Sequence, residues 1–243
     1  MRLKDKVAVI IGAGQSPGEG VGNGRATAIR FAQEGAKVFA VDNRLGSAEE
    51  TAAAVTHEAA MAATMRAARD RFGRIDVMHY NVGVSLAGGD APLADFTEEA
   101  FDRIASINLR GAIMAAKHVV PIMREQRAGA IINISSVAAI ENYPYVGYKA
   151  TKAAMVAFTQ QLAIHNAEYG VRANVILPGL MDTPMAVDTR ARHSGRSRAE
   201  VAAERDAKVP LRRRMGTAWD VANAALFLAS DEADFITGVV LPV

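Results

Sequence analysis

Cysteine is absent from this 243-residue chain, and only 6% of its residues are aromatic. Without thiols there is no disulfide framework, no thiolate nucleophile and no cysteine-bound zinc. No apolar run approaches the ~18 residues of a spanning helix. The first apolar stretch, in MRLKDKVAVIIGAG, is interrupted by Asp5 and Lys6 and lacks a leader-peptide cleavage pattern. The expectation is a cytoplasmic protein without membrane association. Net charge is almost absent as well, with 28 Lys and Arg against 26 Asp and Glu, a formal +2. The histidines at 57, 79, 118, 165 and 193 have no ligand spacing, so no metal is expected. What the chain does have is apolar residues, 50% of the total. That content argues against disorder and is enough for a full core.

The near-neutral total hides one basic segment. Residues 190–214 hold Arg190, Arg192, Arg196, Arg198, Arg205, Lys208, Arg212, Arg213 and Arg214, opposed only by Glu200, Glu204 and Asp206. A patch of this kind attracts nucleic acid or an acidic substrate. No aromatic residue interleaves the arginines as a stacking platform requires, so no nucleic acid is expected, and a salt-bridged surface helix with a loop before it is the plainer reading. One or more of Arg190, Arg192 and Arg196 recognising an acidic substrate group is the sharper one.

Short apolar runs alternate with helical patterns along the whole chain. VAVII (7–11), KVFAV (37–41), IDVMHY (75–80), AIINI (130–134), RANVIL (172–177) and the closing FITGVVLPV read as strands. Their near-continuous apolar character fits a parallel sheet covered on both faces. Segments 23–35, 46–71, 97–127, 147–168 and 217–229 read as helices. The alternation predicts one doubly wound α/β domain of Rossmann type over residues 1–243, with a mostly parallel sheet flanked by helices on both faces. One interval breaks the rhythm: no β-type run exists between residues 43 and 74. Either an edge strand has been lost, or residues are missing between Val55 and Thr56. The chain also stops abruptly at Leu241-Pro242-Val243.

Six glycines lie between Gly12 and Gly24, after the first strand and before a helix. Such a turn lets backbone approach a ligand, and the following helix N-terminus favours a pyrophosphate. The strict GxGxxG spacing is absent, so the strand–loop–helix setting carries the reading. Asp42 closes the second strand, where a carboxylate accepts hydrogen bonds from an adenosine ribose and repels an added phosphate. That favours NAD over NADP, although Arg44 stands close by. Further on, Tyr148 and Lys152 are four residues apart and share a helix face. An ammonium there stabilises a phenolate and lowers the tyrosine pKa toward the working range. Ser136 stands at the end of a strand, placed to donate to a substrate oxygen. Asn108 sits inside the helix 97–127, where asparagine is a poor choice without a function. Tyr145 offers two competing spacings, four before Lys149 and seven before Lys152.

Taken in order, Gly12 to Gly24, Asp42, Asn81-Val82-Gly83, Asn108, Ser136, Tyr148, Lys152, Pro178-Gly179 and Thr183 resemble the short-chain dehydrogenase/reductase family, classical type, over nearly the whole chain. The resemblance implies hydride transfer between a nicotinamide and a secondary alcohol or ketone. Tyr148 is then the general acid/base, Ser136 polarises the substrate oxygen, and Lys152 lowers the Tyr148 pKa and binds the nicotinamide ribose. Asn108 holds a water of the proton relay. Cofactor contacts fall to Gly12, Gly14, Gln15, Gly22, Asn23, Gly24, Asp42, Asn43, Asn81, Val82, Gly83, Tyr148, Lys152, Pro178, Gly179, Met181 and Thr183. The substrate pocket falls to Val84, Ser85, Ala138, Tyr143 and Met185, under a lid at about 180–212. The family also implies a homotetramer built on helices 97–127 and 147–168. A 3-oxoacyl-thioester reductase is the leading alternative. An enoyl reductase, suggested by the Tyr145 spacing of seven and the long glycine loop, and a non-catalytic NAD-binding regulator stand behind it. The sequence departs from the family at Ile11, where a threonine is usual, in the length of the glycine loop, in the missing third strand, and in the shortened tail.

Overall fold

A computed structural model describes residues 1–42 and 58–243. Six parallel strands form the main sheet: β1 (Val7–Ile11), β2 (Lys37–Val41), β3 (Val77–Tyr80), β4 (Gly129–Ile134), β5 (Val171–Leu177) and, out of number, β8 (Val240–Pro242). Two short strands, β6 (Met181–Asp182) and β7 (Gly216–Thr217), pair separately. The order in the sheet is β2-β1-β3-β4-β5-β8. The direction of winding reverses between β1 and β3, and a ligand crevice forms at the carboxyl ends of strands at such a reversal.

The apolar strand runs are two-faced. Ala8 and Ile10 of β1 join Val77, Ile132 and Ile176 in one core, covered by helices α1 (Asn23–Gln33) and α8 (Ala218–Ala229). Val9 and Ile11 point the other way and join Met78, Ile131 and Val175. Helices α2 (Glu58–Phe72), α4 (Gly111–Gln126) and α5 (Val146–Asn166) cover that side. Alternate side chains of a strand face opposite ways, so a strand buried on both faces has no polar interval.

Two elements differ from their sequence reading. The helix expected over 97–127 is α3 (Glu98–Ala105), a π-turn over Ser106–Arg110, and then α4. Of the closing run FITGVVLPV, only Val240–Pro242 is strand. Gly238, at φ +75°, turns the chain just before it, and its N–H donates to the Ala173 carbonyl. The basic segment folds as two short helices, α6 (Thr189–Ser194) and α7 (Arg198–Lys208), the second opened by a Ser197–Glu200 capping box.

Among the described residues β2 is an edge strand whose only sheet partner is β1. It is also the most exposed of the long strands. The Val55–Thr56 junction and Asn43 lie outside the described residues, as do Arg44 and His57. Between β2 and α2 runs a groove of about 500 Å³, lined by Phe39, Val41, Asp42, Ala63, Thr64 and Ala67 among others.

Candidate active site

The glycine-rich segment leaves β1 at Gly12, whose φ of +85° bends the chain sharply. The Gly12 and Ala13 N–H groups donate to the Val41 carbonyl at 2.8 and 3.0 Å, which ties the turn to β2. A Cβ on Gly24 would stand 1.9 Å from the Gly12 carbonyl oxygen, so only glycine lets α1 start this close to the turn. The Asn81 side chain donates to that same oxygen at 3.2 Å. Gln15 accepts from Gly22 N–H at 3.3 Å across the loop. Asp42 accepts from Gly14 N–H at 2.6 Å, which sets its carboxylate over the loop.

These residues fit a dinucleotide. No side chain caps the α1 N-terminus at Gly22, so its first N–H groups stay available to an anion. The Asn23 Oδ1 atom is buried there with no hydrogen-bond partner. At the carboxyl edge of the sheet, Gly179 N–H donates to the Val243 carbonyl and Val137 N–H to that of Pro178. Thr183 caps the π-turn Pro184–Asp188. The Met181 side chain is buried in the core with its sulfur against Gly216.

Around Tyr148 the packing is denser. Asn108 occupies the π-turn and is fully buried. Its Oδ1 accepts from Val84 N–H at 2.8 Å, and its Nδ2 donates to the Val84 carbonyl at 3.0 Å and to the Thr151 hydroxyl at 3.1 Å. Single π-turns of this kind often mark functional positions in helices, and here one extra residue turns an amide inward. Lys152 is 2% exposed. Its Nζ donates to the Ile134 carbonyl at 2.7 Å and lies 5.6 Å from the Tyr148 ring centroid. A Cβ on Gly83 would fall 3.1 Å from that Nζ and 3.5 Å from Asn108 Oδ1, so Gly83, Lys152 and Asn108 meet at one point. Ser136 lies two residues beyond β4 and N-caps a single 3-10 turn over Val137–Ala139.

Burial is the first influence on the charge states of both Tyr148 and Lys152. Burial pushes the Tyr148 phenol up to about 12, helped by Tyr143 and opposed by the Ser136 hydroxyl and the Arg190 charge. Burial pulls the Lys152 amine down to about 7. Desolvation thus disfavours the charged form of each group.

The competing tyrosine is resolved by position. Tyr145 is the residue before α5, with extended backbone, and its ring packs on Tyr143 at 5.5 Å. Lys149 is committed to the carbonyls of Ala138 and Glu141, at 3.1 and 2.6 Å. Tyr148 alone of the two stands beside Ser136 and Lys152.

Sequence reasoning missed Asp90. It is 6% exposed and accepts from Gly147 N–H at 2.8 Å, Tyr148 N–H at 3.1 Å and the Ser85 hydroxyl at 2.9 Å. It therefore caps the helix that carries Tyr148. In LAGGD it reads as an ordinary turn residue, and no local pattern sets it apart. Ser85 also touches the Tyr143 hydroxyl at 3.2 Å, and the Tyr143 ring lies 5.7 Å from that of Tyr148. Val84 adjoins this group. Ala138 is buried, whereas Met185 is 37% exposed on the Pro184–Asp188 turn.

Comparison with known proteins agrees with this arrangement. A family model described as Enoyl-(Acyl carrier protein) reductase matches residues 19–243. Levodione reductase of Leifsonia aquatica is 36% identical over 259 positions, covering 100% of this chain and 94% of that protein. The 3-oxoacyl-(acyl-carrier-protein) reductase FabG of Thermotoga maritima is 34% identical, covering 100% of this chain and 98% of its own length. A solved structure from Burkholderia xenovorans, assigned to the short-chain dehydrogenases/reductases, superposes with a TM-score of 0.89 at 40% identity. It covers 100% of this chain and 96% of that one. The levodione reductase alignment is longer than the 243 residues here, so that protein carries residues this chain lacks.

Proposed function

The chain belongs to the short-chain dehydrogenase/reductase family, and from that premise we propose that it interconverts a secondary alcohol and a ketone, with Tyr148 as general acid/base. The observation that carries this reading is the meeting of Tyr148, Ser136, Lys152 and Asn108 at one end of the cleft. In ketone reduction the Tyr148 hydroxyl gives its proton to the substrate oxygen. In alcohol oxidation it takes that proton back. Ser136 holds the same oxygen, so the reacting bond is fixed in direction before the proton moves. Lys152 stabilises charge as it develops on the phenol, and Asn108 fixes Val84 and Thr151 around it.

The dinucleotide would be held by Gly12, Gly14, Gln15, Gly22, Asn23 and Gly24 at the pyrophosphate. Asn81, Val82, Gly83, Lys152 and the main chain of 178–183 would hold the nicotinamide half. When bound, it supplies or accepts the hydride. Asp42 supports NAD over NADP: a carboxylate at the end of β2 accepts from ribose hydroxyls and repels a 2′-phosphate. The exposed alanines Ala150, Ala153 and Ala157 on α5 support a homotetramer paired through that helix. Light scattering on the purified protein measures it.

The names among the relatives keep 3-oxoacyl-thioester reduction as the second reading. An enoyl reductase gains less support, because Tyr145 is the residue before α5, whereas the Lys152 Nζ lies 5.6 Å from the Tyr148 ring centroid. The test is a panel of secondary alcohols, ketones, 3-oxoacyl thioesters and enoyl thioesters, assayed with NAD(H) and NADP(H). NAD-linked turnover of alcohols or ketones is expected. It should fall by about 10²- to 10⁴-fold in Tyr148→Phe. Turnover that survives this substitution would overturn the mechanism.

A further inference from the structure

Most of the basic residues in 190–214 are accounted for by partners. Arg196 pairs with Glu204 at 2.7 Å, and Lys208 pairs with the same carboxylate at 2.6 Å. Arg198 reaches Asp182, Asp188 and Glu19. Arg192 donates to the Pro17 carbonyl and the Thr189 hydroxyl, and Arg213 to the Ala207 carbonyl. Arg212 and Arg214 are exposed.

Two arginines remain, and both face inward. Arg205 follows Val201 by one turn on the buried face of α7 and is 9% exposed. It forms no hydrogen bond or ion pair with any described residue, and its Nε is buried without a partner. Arg190 is half-buried on α6 and makes one hydrogen bond, to the Ala186 carbonyl at 2.9 Å. No carboxylate among the described residues lies within ion-pair distance of either. Desolvation disfavours the charge of a buried guanidinium that has no anion beside it.

The place of this pair is informative. Helix α6 packs against Leu86–Gly88, the turn that follows Val84 and Ser85. The Arg190 charge acts on the Tyr148 hydroxyl and on Arg205, and Arg205 in turn feels Tyr143. Helix α6 thus brings Arg190 toward the turn after Val84 and Ser85, and α7, which carries Arg205, packs against α6. Two like charges within each other's field are both relieved by one anion between them. The carboxylates that reach Arg205 at longer range, Asp182 and Glu204, are each engaged by Arg198 or by Arg196 and Lys208.

We propose that Arg190 and Arg205 form an anion subsite in the substrate pocket, and that the substrate is a secondary alcohol or ketone carrying a carboxylate. This rests on the oxidoreductase reading and narrows its substrate class. Of the three arginines singled out in the sequence, it keeps Arg190 and sets aside Arg192 and Arg196. Arg205 takes their place.

The test measures kcat/KM for a series of oxo acids whose carboxylate stands progressively farther from the ketone, each beside its methyl ester. For the acid of the right length, the wild type should prefer acid over ester by about 100-fold, the scale of a charge-assisted bidentate contact in a dry site. Arg190→Met and Arg205→Met should each reduce that ratio by about tenfold or more, and Arg205→Lys by less. Melting curves check folding. If Arg205→Met does not fold, Arg190→Met and Arg205→Lys still report the ratio. Esters reduced as well as acids in the wild type, with dependence on Tyr148 intact, would overturn the subsite alone. So would a rise in the dinucleotide KM of the variants with no change in the acid-to-ester ratio. Absence of Tyr148-dependent turnover in both series would remove the oxidoreductase reading, and this one with it.

Discussion

Around Tyr148, side chains of particular types hold one another through buried hydrogen bonds. Around Gly12, main-chain groups and missing Cβ atoms make the shape. Asn108 alone makes three hydrogen bonds, to Val84 and Thr151, and Asp90 accepts three more. The dinucleotide end has few side-chain contacts of that kind: Asn81 on the Gly12 carbonyl, Gln15 across its loop, Asp42 on Gly14. One end is preorganised for chemistry, where an error of an ångström is expensive. The other offers unsatisfied donors to a polyanion and needs only an approach free of Cβ atoms. Substitutions at the first end should then change both turnover and stability, in the same or in opposite directions. Substitutions at the second should move dinucleotide affinity more than turnover.

The largest effect is expected at Lys152. Its folded-state pKa, about 7, lies below the 10.5 of an exposed lysine. A depressed pKa contributes stability above 10.5, and that contribution is lost as pH falls toward 7. At pH 7 the folded protein thus forgoes on the order of 4 kcal/mol. Lys152→Met should raise the melting temperature at pH 7 and flatten its dependence between pH 7 and 10, while kcat/KM falls by about 10²-fold or more. Tyr148 has the opposite sign. Its pKa is raised to about 12 from 10, so its contribution is present below 10 and lost as pH rises toward 12. Melting curves across this range read both limbs. A wild-type melting temperature that declines from pH 7 to 9.5 would contradict the assignment.

Asp90 comes next. Removing its carboxylate strands two buried N–H groups at the start of α5 and the Ser85 hydroxyl. Asp90→Ala should cost about 3 kcal/mol, or about 6–12 °C in melting temperature. It should lower kcat by loosening Tyr148. Asp90→Asn keeps one acceptor and should lose less. Dinucleotide affinity is the control: a loss there as large as the loss in kcat would erase the distinction between the two ends.

The same contrast explains what the sequence made legible. Tyr148, Lys152, Ser136 and Asn108 could be named because each role demands one residue type, and identity survives in a string of letters. Strands β1, β3, β4 and β5 were legible because burial on both faces keeps their runs mostly apolar, with few polar residues such as His79, Asn133 and Asn174. The glycine loop escaped the strict motif because its shape depends on where Gly12 and Gly24 meet, and the number of residues between them is free to vary. Asp90 was illegible because its partners Gly147 and Tyr148 are distant in sequence and are backbone groups. The π-turn was illegible for a related reason: SINLR carries no signal that one turn will hold an extra residue. Arg205 stood among eight other basic residues, and only the fold shows that α7 turns it inward while Glu204 and Lys208 face out.

At the dinucleotide end, Gly24→Ala should have the larger effect. Its new Cβ meets the Gly12 carbonyl at 1.9 Å and Asn81 Nδ2 at 2.7 Å, and the first of these is backbone that cannot rotate away. A cost of about 2 kcal/mol and a rise of about tenfold or more in the dinucleotide Kd are expected. Gly20→Ala is the contrast within the same loop. Nothing lies within 4 Å of its added Cβ, so only the φ of +88° penalises it, by about 1 kcal/mol. Titration calorimetry with NAD reads both variants. Equal losses would mean that loop strain, and not the Gly12–Gly24 approach, shapes the site.

The smallest expected change is the most selective. The Asp42 carboxylate stands exposed at the end of β2, over Gly14. Asp42→Ala removes both the acceptor for a ribose diol and the charge that opposes a 2′-phosphate. The ratio of kcat/KM for NAD over NADP should fall by about tenfold, roughly 1.4 kcal/mol. Strands β1 and β3 lie between β2, which leads into Asp42, and β4, which leads into Ser136. Turnover with saturating cofactor should therefore change by less than about twofold, since uniform binding is lost without touching the transition state. A ratio that stays put would shift cofactor choice to residues after Asp42. A fall in saturated turnover as large as the fall in the ratio would show that the two ends are coupled, with the hydrogen bonds from Pro17 and Glu19 to Arg192 and Asp188 as the contacts to test next.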